Sequence, residues 1–319
     1  MKAVQPPLVV MLKGPTASGK TGVAVELVES LPLDIISVDS AMVYRGMDIG
    51  TAKPDREMQR RAPHRLIDIR DPSEPYSAAD FEADAQREIE AIHRAGRVPL
   101  LVGGTMLYFR ALEQGLSALP SADAEVRARL EADAVRDGWA ALHARLAAVD
   151  PAAAARIHPN DPQRIQRALE VFELTGMAMT ELYATTGRRP GRWRLLKIIL
   201  APPEREVLHA RIERRFATML AAGFLQEVRG LHARDDLHAD LPALRAVGYR
   251  QAWAYLDGRL SADSWVGKAV TATRQYAKRQ LTWFRAEADA VWVDPGQAQA
   301  RAGIKSLITR ACAGDKRLC

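Results

Sequence analysis

Gly14-Pro15-Thr16-Ala17-Ser18-Gly19-Lys20-Thr21 fits the pattern G-x-x-x-x-G-K-[ST]. Two glycines at that spacing let the backbone curl, so that successive N–H groups converge on an anion. A helix starting there adds the positive end of its dipole. Lys20 brings a full charge to phosphate oxygens, and the Thr21 hydroxyl can ligate Mg²⁺. The chemistry is capture of a polyphosphate, and the motif alone does not choose which one. Asp39 is the second candidate, at the end of the apolar run Asp34–Val38. Its residue type and place leave three readings open: a metal ligand, a helix N-cap, or a group acting on substrate at the sheet edge where open α/β folds bind ligands. Arg211, Arg214 and Arg215 follow in a helical stretch, with Arg211 and Arg215 four apart on one face. One of them, Arg211 by preference, is expected to reach the phosphates. The competing reading is a solvated charged face shared with Glu213.

These residues need elements to hold them. Leu8–Leu12, Asp34–Val38 and Val98–Val102 are short continuous apolar runs, the mark of strands buried on both faces. Helical spacing lies between them. Val23, Leu27 and Leu31 share one face of a helix over Gly22–Leu31. Phe81, Ala85, Ile89 and Ile92 share another, with Ser77 as its cap and Gly96 as its stop. This alternation predicts an α/β fold, a P-loop core with a parallel sheet and helices on both faces. From Ser121 to about Gly187 the pattern turns helical and alanine-rich, without a strand. Strand signals return at Leu195–Ala201 and Ala290–Val293. The expected organisation is a catalytic core from residues 1–116 and 191–319, with a helical insertion lobe at 117–190. The stretch 41–54 has no regular period but carries glycines, cations and apolar residues, as functional loops do.

Composition narrows the class. The chain has 319 residues, 48% hydrophobic and 26% charged, enough to bury a core without staples. Its two cysteines, Cys312 and Cys319, rule out a disulfide framework and a Cys/His zinc cluster, which suits a reducing, cytoplasmic setting. No apolar run is long enough for a membrane span. The net charge of +6 gathers in the second half. Arg164 and Arg167 share a helix face, Arg188, Arg189, Arg192 and Arg194 lie at the lobe junction, and Lys278, Arg279 and Arg285 interleave with Tyr276, Trp283 and Phe284. Cations beside aromatics suit a nucleic-acid backbone and unstacked bases. Solvated helix faces, with Trp283 and Phe284 in the core, are the plainer alternative. His93 and His158 are isolated and read as structural.

Several stretches together resemble the bacterial tRNA dimethylallyltransferase (tRNA isopentenyltransferase) family. They are GPTASGKT at 14–21, DSAMVYRGMDIGTAKP at 39–54, LLVGGTMLYFRAL at 100–112, HPNDPQRIQRALEV at 158–171, LRAVGYRQ at 244–251 and TRQYAKRQLTWFR at 273–285. They run through nearly the whole chain in the family's order. The resemblance implies transfer of a dimethylallyl group from dimethylallyl diphosphate to N6 of adenosine 37 in the tRNA anticodon loop, with Mg²⁺. It implies that Gly14, Pro15, Thr16, Ala17, Ser18, Gly19, Lys20 and Thr21 bind the donor's diphosphate, with Thr21 on the metal. Asp39 would be the general base, and Thr105 would hold the diphosphate side or the substrate entrance. The residues implied to face tRNA are Asp39, Ser40, Ala41, Met42, Thr105 and Arg127; Gln163, Arg164, Ile165, Gln166 and Arg167; Leu244, Arg245, Ala246, Val247, Gly248 and Tyr249; and Ala277, Lys278, Arg279, Gln280, Leu281, Thr282, Trp283 and Phe284. A monomer is expected.

The chemistry asks for such residues. An adenine N6 amine is a weak nucleophile, and the allylic C–O bond compensates by breaking with cationic character. Amides, Lys20, Mg²⁺ and an arginine would neutralise the departing diphosphate. A carboxylate would take the amine proton. RNA enzymes of this kind act on loop bases that swing out at low cost. Three other readings compete. A nucleotide kinase would use the P-loop for ATP, an adenylate prenyltransferase would act on free AMP, and an RNA-binding module would leave the P-loop idle.

Overall fold

The computed structural model describes residues 5–116, 119–185 and 192–313. Six strands form one parallel sheet: β1 (Leu8–Lys13), β2 (Leu33–Val38), β3 (His64–Arg65), β4 (Val98–Gly103), β5 (Arg194–Leu200) and β6 (Val291–Val293). Their order is β3-β2-β4-β1-β5-β6. The register pairs Leu12 with Val102 on one side and with Ile198 on the other. The helices are α1 (Lys20–Ser30), α2 (Arg56–Arg61), α3 (Ala78–Arg94), α4 (Met106–Gln114), α5 (Ala124–Asp137), α6 (Trp139–Val149), α7 (Pro151–Ala154), α8 (Pro162–Thr175), α9 (Met179–Thr185), α10 (Arg205–Ala221), α11 (Phe224–His232), α12 (Tyr249–Leu256), α13 (Ala262–Arg285) and α14 (Ala300–Cys312).

The continuous apolar strands are explained by burial on both faces. Side chains alternate across the pleat. Leu8, Val10 and Leu12 of β1 therefore pack with α1 and with Ile304 and Ile308 of α14. Val9 and Met11 enter the opposite core, with Phe81, Ala85, Ile89 and Ile92 of α3 and the helices from α10 to α13. Ser77 caps α3 as its type predicts: its hydroxyl accepts from the Asp80 amide and the Asp80 carboxylate accepts from the Ser77 amide. The first helix starts at Lys20, two residues before the expected start at Gly22, because the phosphate loop itself winds into it. The strand β3 has two residues and therefore no period to read.

The chain divides into two compact units, residues 1–113 with 191–319, and residues 114–190. The second unit is entirely helical among its described residues. Val126 and Leu130 of α5, Leu142 and Leu146 of α6, and Ile165 and Leu169 of α8 form its core. Arg188 and Arg189 lie outside the described residues.

A candidate phosphate and acceptor site

The strand order β2-β4-β1 sets three loops side by side at the carboxyl edge of the sheet. They are the phosphate loop after β1, Asp39-Ser40 after β2, and Gly104-Thr105 after β4. The phosphate loop holds two residues in left-handed backbone, Ala17 at φ 63° and Gly19 at φ 93°. Such a curl is the backbone shape an anion cradle uses; the Thr16 and Ser18 amides here donate to Gln280 and to the Pro15 carbonyl. Lys20 folds back over the loop, donating to the carbonyls of Gly14 at 2.9 Å and Pro15 at 2.8 Å. Burial and the charge of Arg215 pull its pKa down to about 7, against a smaller upward effect of Asp39.

Arg215 donates from Nη1 to the Thr16 hydroxyl at 3.3 Å and from Nη2 to the Thr51 carbonyl at 3.1 Å. Burial lowers its pKa, opposed by Asp39. Arg211, favoured by the sequence reading, borders the same cleft one turn earlier, while Arg214 is exposed. Both members of the i, i+4 pair therefore reach the phosphate loop, and Arg215 is the one hydrogen-bonded to it.

Asp39 begins no helix. Its Oδ1 accepts from the amides of Ala41 at 2.9 Å and Met42 at 3.2 Å, which ties the carboxylate to a turn. The Thr105 hydroxyl accepts from the Ser40 amide at 3.1 Å and so fixes the neighbour of Asp39. Tyr276, hydrogen-bonded to Thr105, has its pKa pushed up to about 12 by burial and by the negative charge of Asp39.

Two cavities meet here. One, of about 460 Å³, is lined by the phosphate loop with Lys20 and Thr21, by Met42 and by Arg211. The other, of about 420 Å³, is lined by Ser40, Ala41, Tyr44, Ile212, Phe216, Met219, Arg245, Ala246, Val247, Tyr249 and Arg279. Thr16, Asp39, Thr51, Arg215 and Tyr276 border both. A phosphate compartment and a mixed apolar–polar compartment thus share one wall, and Asp39 stands in it.

Not every residue expected to face RNA is available to do so. Gln280 is 1% exposed; its Oε1 accepts from the Thr16 amide at 2.9 Å and its Nε2 donates to the Gly104 carbonyl at 2.8 Å. It staples α13 to the phosphate loop. A Cβ on Gly104 would stand 2.3 Å from that Nε2, so a side chain there would displace the Gln280 amide. Leu244, Ala277 and Phe284 are buried in apolar clusters, as is Ile165 in the helical unit. Their side chains hold elements in place and are closed to an RNA surface. Tyr249 is also buried, its hydroxyl donating to Glu227 at 2.5 Å. Gly248, at φ 94°, caps α12, its amide donating to Gln251. Lys278 and Arg279 are exposed on α13, and so is Trp283, with the Arg110 guanidinium 5.8 Å from its ring. Leu281 and Thr282 line a separate cavity beside Lys278 and Arg285.

In the helical unit Gln163 and Arg164 are exposed, and Arg164 pairs with Asp161 at 2.7 Å. Gln166 donates to Glu131 at 3.0 Å. Arg127 and Arg167 both bond the fully buried carboxylate of Glu170, at 2.8 and 2.7 Å. Those two arginines are first of all partners of a buried charge. Arg192 and Arg194 belong to the other unit, bonded to Glu90 and to the Ala311 carbonyl. The sequence reading missed Glu227, Arg215 as the bonded arginine, and Gln280 as a staple. An isolated Glu in an amphipathic helix gives no signal of its own.

A parallel sheet with a G-x-x-x-x-G-K-T loop after one of its central strands, and an acidic side chain bordering two adjoining cavities, defines an α/β protein with a two-compartment cleft at the carboxyl edge of its sheet. The chain belongs to the IPP transferase family, whose model matches residues 42–287. It is similar to the tRNA isopentenylpyrophosphate transferase of Bacillus halodurans, at 40% identity over 98% of this chain and 99% of that one, with a TM-score of 0.71. The tRNA isopentenylpyrophosphate transferase of Staphylococcus epidermidis is 32% identical over 96% and 99%, with a TM-score of 0.68. A eukaryotic dimethylallyltransferase acting on tRNA is 26% identical over 97% and 80%, with a TM-score of 0.79.

Proposed function

We propose that this protein transfers a dimethylallyl group from dimethylallyl diphosphate to N6 of adenosine 37 in the anticodon loop of tRNA. The observation that carries the reading is the shared wall between the two cavities, with Arg215 on one side of the reacting centre and Asp39 beside it. Membership of the family supports a tRNA acceptor and an allylic diphosphate donor. The donor's diphosphate occupies the phosphate loop, and its five-carbon chain points toward the compartment with Ile212, Phe216 and Met219. The acceptor adenine enters that compartment from the side of Arg245–Tyr249.

The step balances simply. The allylic C–O bond breaks, an N6–carbon bond forms, diphosphate leaves and the amine proton passes to the Asp39 carboxylate. Lys20, Arg215 and the loop amides bind the oxygen that gains charge. Among the described residues no group of three or more His, Cys, Asp or Glu side chains could hold a metal ion. Mg²⁺ takes few protein ligands and keeps waters and phosphate oxygens. Thr21 would hold it, and when bound it would draw charge from the leaving diphosphate. We take the enzyme to work as a monomer in the cytoplasm. No helix among the described residues is long and apolar enough to cross a membrane.

The test is incubation with labelled dimethylallyl diphosphate, Mg²⁺ and unmodified tRNA bearing adenosine at position 37. AMP and ATP serve as parallel acceptors. Label in tRNA alone, lost in Asp39→Ala and in tRNA lacking that adenosine, is the expected result. Label in AMP would make the protein an adenylate prenyltransferase. Absence of transfer from folded protein would sink the proposal.

A further inference from the structure

The grip of Arg215 on the phosphate loop depends on a loop that has no regular structure of its own. Arg215 reaches the Thr51 carbonyl, and Thr51 closes the irregular stretch that follows Asp39. One side chain holds that stretch. Glu227 of α11 accepts from three successive amides: Asp48 at 2.9 Å and Ile49 at 2.7 Å on Oε2, and Gly50 at 3.1 Å on Oε1. The Tyr249 hydroxyl adds a fourth bond to Oε1 at 2.5 Å. Three consecutive N–H groups turned to one anion form a concavity that a carboxylate fills well. The fit is close, because a Cβ on Gly50 would stand 2.3 Å from the Phe224 ring and 2.6 Å from that of Tyr249. Lys53 ties the far end of the stretch, donating to the Tyr44 carbonyl at 2.8 Å and to Asp68 at 2.6 Å.

We propose that Glu227 is a positioning residue for the diphosphate site. It fixes residues 48–51 so that the Thr51 carbonyl holds the Arg215 guanidinium against Thr16 of the phosphate loop. The inference rests on the reading of that loop as the donor's diphosphate site. Glu227 lines neither cavity and acts through the loop and Arg215. A carboxylate is needed rather than an amide, because three of its partners are backbone amides that can only donate, and they are shared between its two oxygens. Glutamine would turn an NH₂ group toward either the Asp48 and Ile49 amides or the Gly50 amide and leave that part of the loop without its acceptor, although the Tyr249 hydroxyl could accept from it.

Two variants test this, Glu227→Gln and Tyr249→Phe, the second removing only the phenol that braces the carboxylate. Titration with inorganic pyrophosphate in Mg²⁺ reads the anion site without any transfer step, and steady-state kinetics with tRNA reads the rest. Glu227→Gln should weaken pyrophosphate binding and raise the KM for the prenyl diphosphate by about tenfold, with Tyr249→Phe in the same direction by less. In Glu227→Gln the KM for tRNA should stay within about twofold, as an effect confined to one site requires; Tyr249 borders the acceptor cavity, so Tyr249→Phe is read by pyrophosphate titration alone. A purely structural role would instead lower the melting temperature and shift both KM values together, and that pattern overturns the proposal. Unchanged pyrophosphate affinity in a folded Glu227→Gln overturns it as well, while leaving the diphosphate reading intact. Failure of the wild type to bind pyrophosphate overturns both.

Discussion

Binding of the diphosphate is expected to take up a proton at Lys20. The amino group is folded into the phosphate loop, where burial first and the Arg215 charge second bring its pKa down to about 7. An anion seated on it restores the charged form, moving the pKa back toward the ordinary value of about 10.4. The linkage then has a definite sign. Binding raises the pKa, so the bound state holds more protons and affinity falls as pH rises. Below pH 6 roughly a tenth or less of Lys20 is neutral, and little uptake occurs; at pH 8 about nine tenths is neutral, so uptake approaches one proton. Between about pH 7 and the bound pKa, affinity should drop about tenfold per pH unit. Calorimetric titration of pyrophosphate in two buffers of different ionisation heat gives the proton count directly. The ligand releases or takes up protons of its own, so Lys20→Met is the reference, and the difference between the two proteins is the quantity at issue. Equal uptake by wild type and Lys20→Met, or a flat affinity between pH 7 and 9, would falsify the account of a lysine held half-neutral by its surroundings.

Other consequences follow from single contacts. Asp39→Asn keeps an oxygen for the Ala41 and Met42 amides but loses the proton acceptor; single-turnover transfer should fall by about 10²–10⁴-fold while pyrophosphate affinity stays near wild type. Gly104→Ala drives a methyl into Gln280 and breaks its bonds to the Gly104 carbonyl and the Thr16 amide; urea denaturation should show a loss of about 2–4 kcal/mol. Glu170→Ala leaves Arg127 and Arg167 without their shared buried partner; both arginines reach solvent, so the loss should be about 1–3 kcal/mol. The Glu170 pKa is pushed up by burial and pulled down further by its bonds to Arg127 and Arg167, for a net lowering. Its contribution should therefore be complete above the unfolded glutamate pKa and disappear as pH falls through the lower folded value, which urea midpoints measured from pH 7 downward will check.

The phosphate loop was legible because an anion cradle needs fixed residue types at fixed spacing, and the strand runs were legible because burial on both faces leaves no polar positions. Arg211 and Arg215 were equivalent to the sequence, since spacing of four gives a shared face but not the rotation of that face against a neighbour. The packing of α10 on α13 decides which arginine meets Thr16. Gln280 was misread for a different reason. It sits among Lys278, Arg279 and Thr282, so its polarity suggests solvent or RNA, whereas its amide is buried and bonded to the Thr16 amide, the Gly104 carbonyl and Tyr276. Ile165 and Phe284 were assigned to RNA along with the polar residues around them, although apolar side chains at helical spacing belong to a core. Glu227 could not have been found from the chain alone, because its partners are backbone amides more than 170 positions away.

The choice of proton acceptor turns on what else stands near the shared wall. Tyr276 and Tyr108 both approach it, and a phenolate would serve as a base. Burial raises both, Tyr276 to about 12, and the charge of Asp39 raises each of them further. Both phenols thus stay protonated in any range where the protein works, and they can donate but not accept the amine proton. Lys20 and Arg215 are cationic partners for an anion and cannot serve in that role once the anion is bound. Asp39 is left as the one group bordering both cavities that accepts a proton, and the Ala41 and Met42 amides already fix its direction. The same charge that lifts the two phenols also acts to raise the pKa values of Lys20 and Arg215. In the proposed reaction one carboxylate thus adds to the burial that keeps both phenols protonated and stands where the amine proton would go, so its replacement by asparagine should cut transfer far more than pyrophosphate binding.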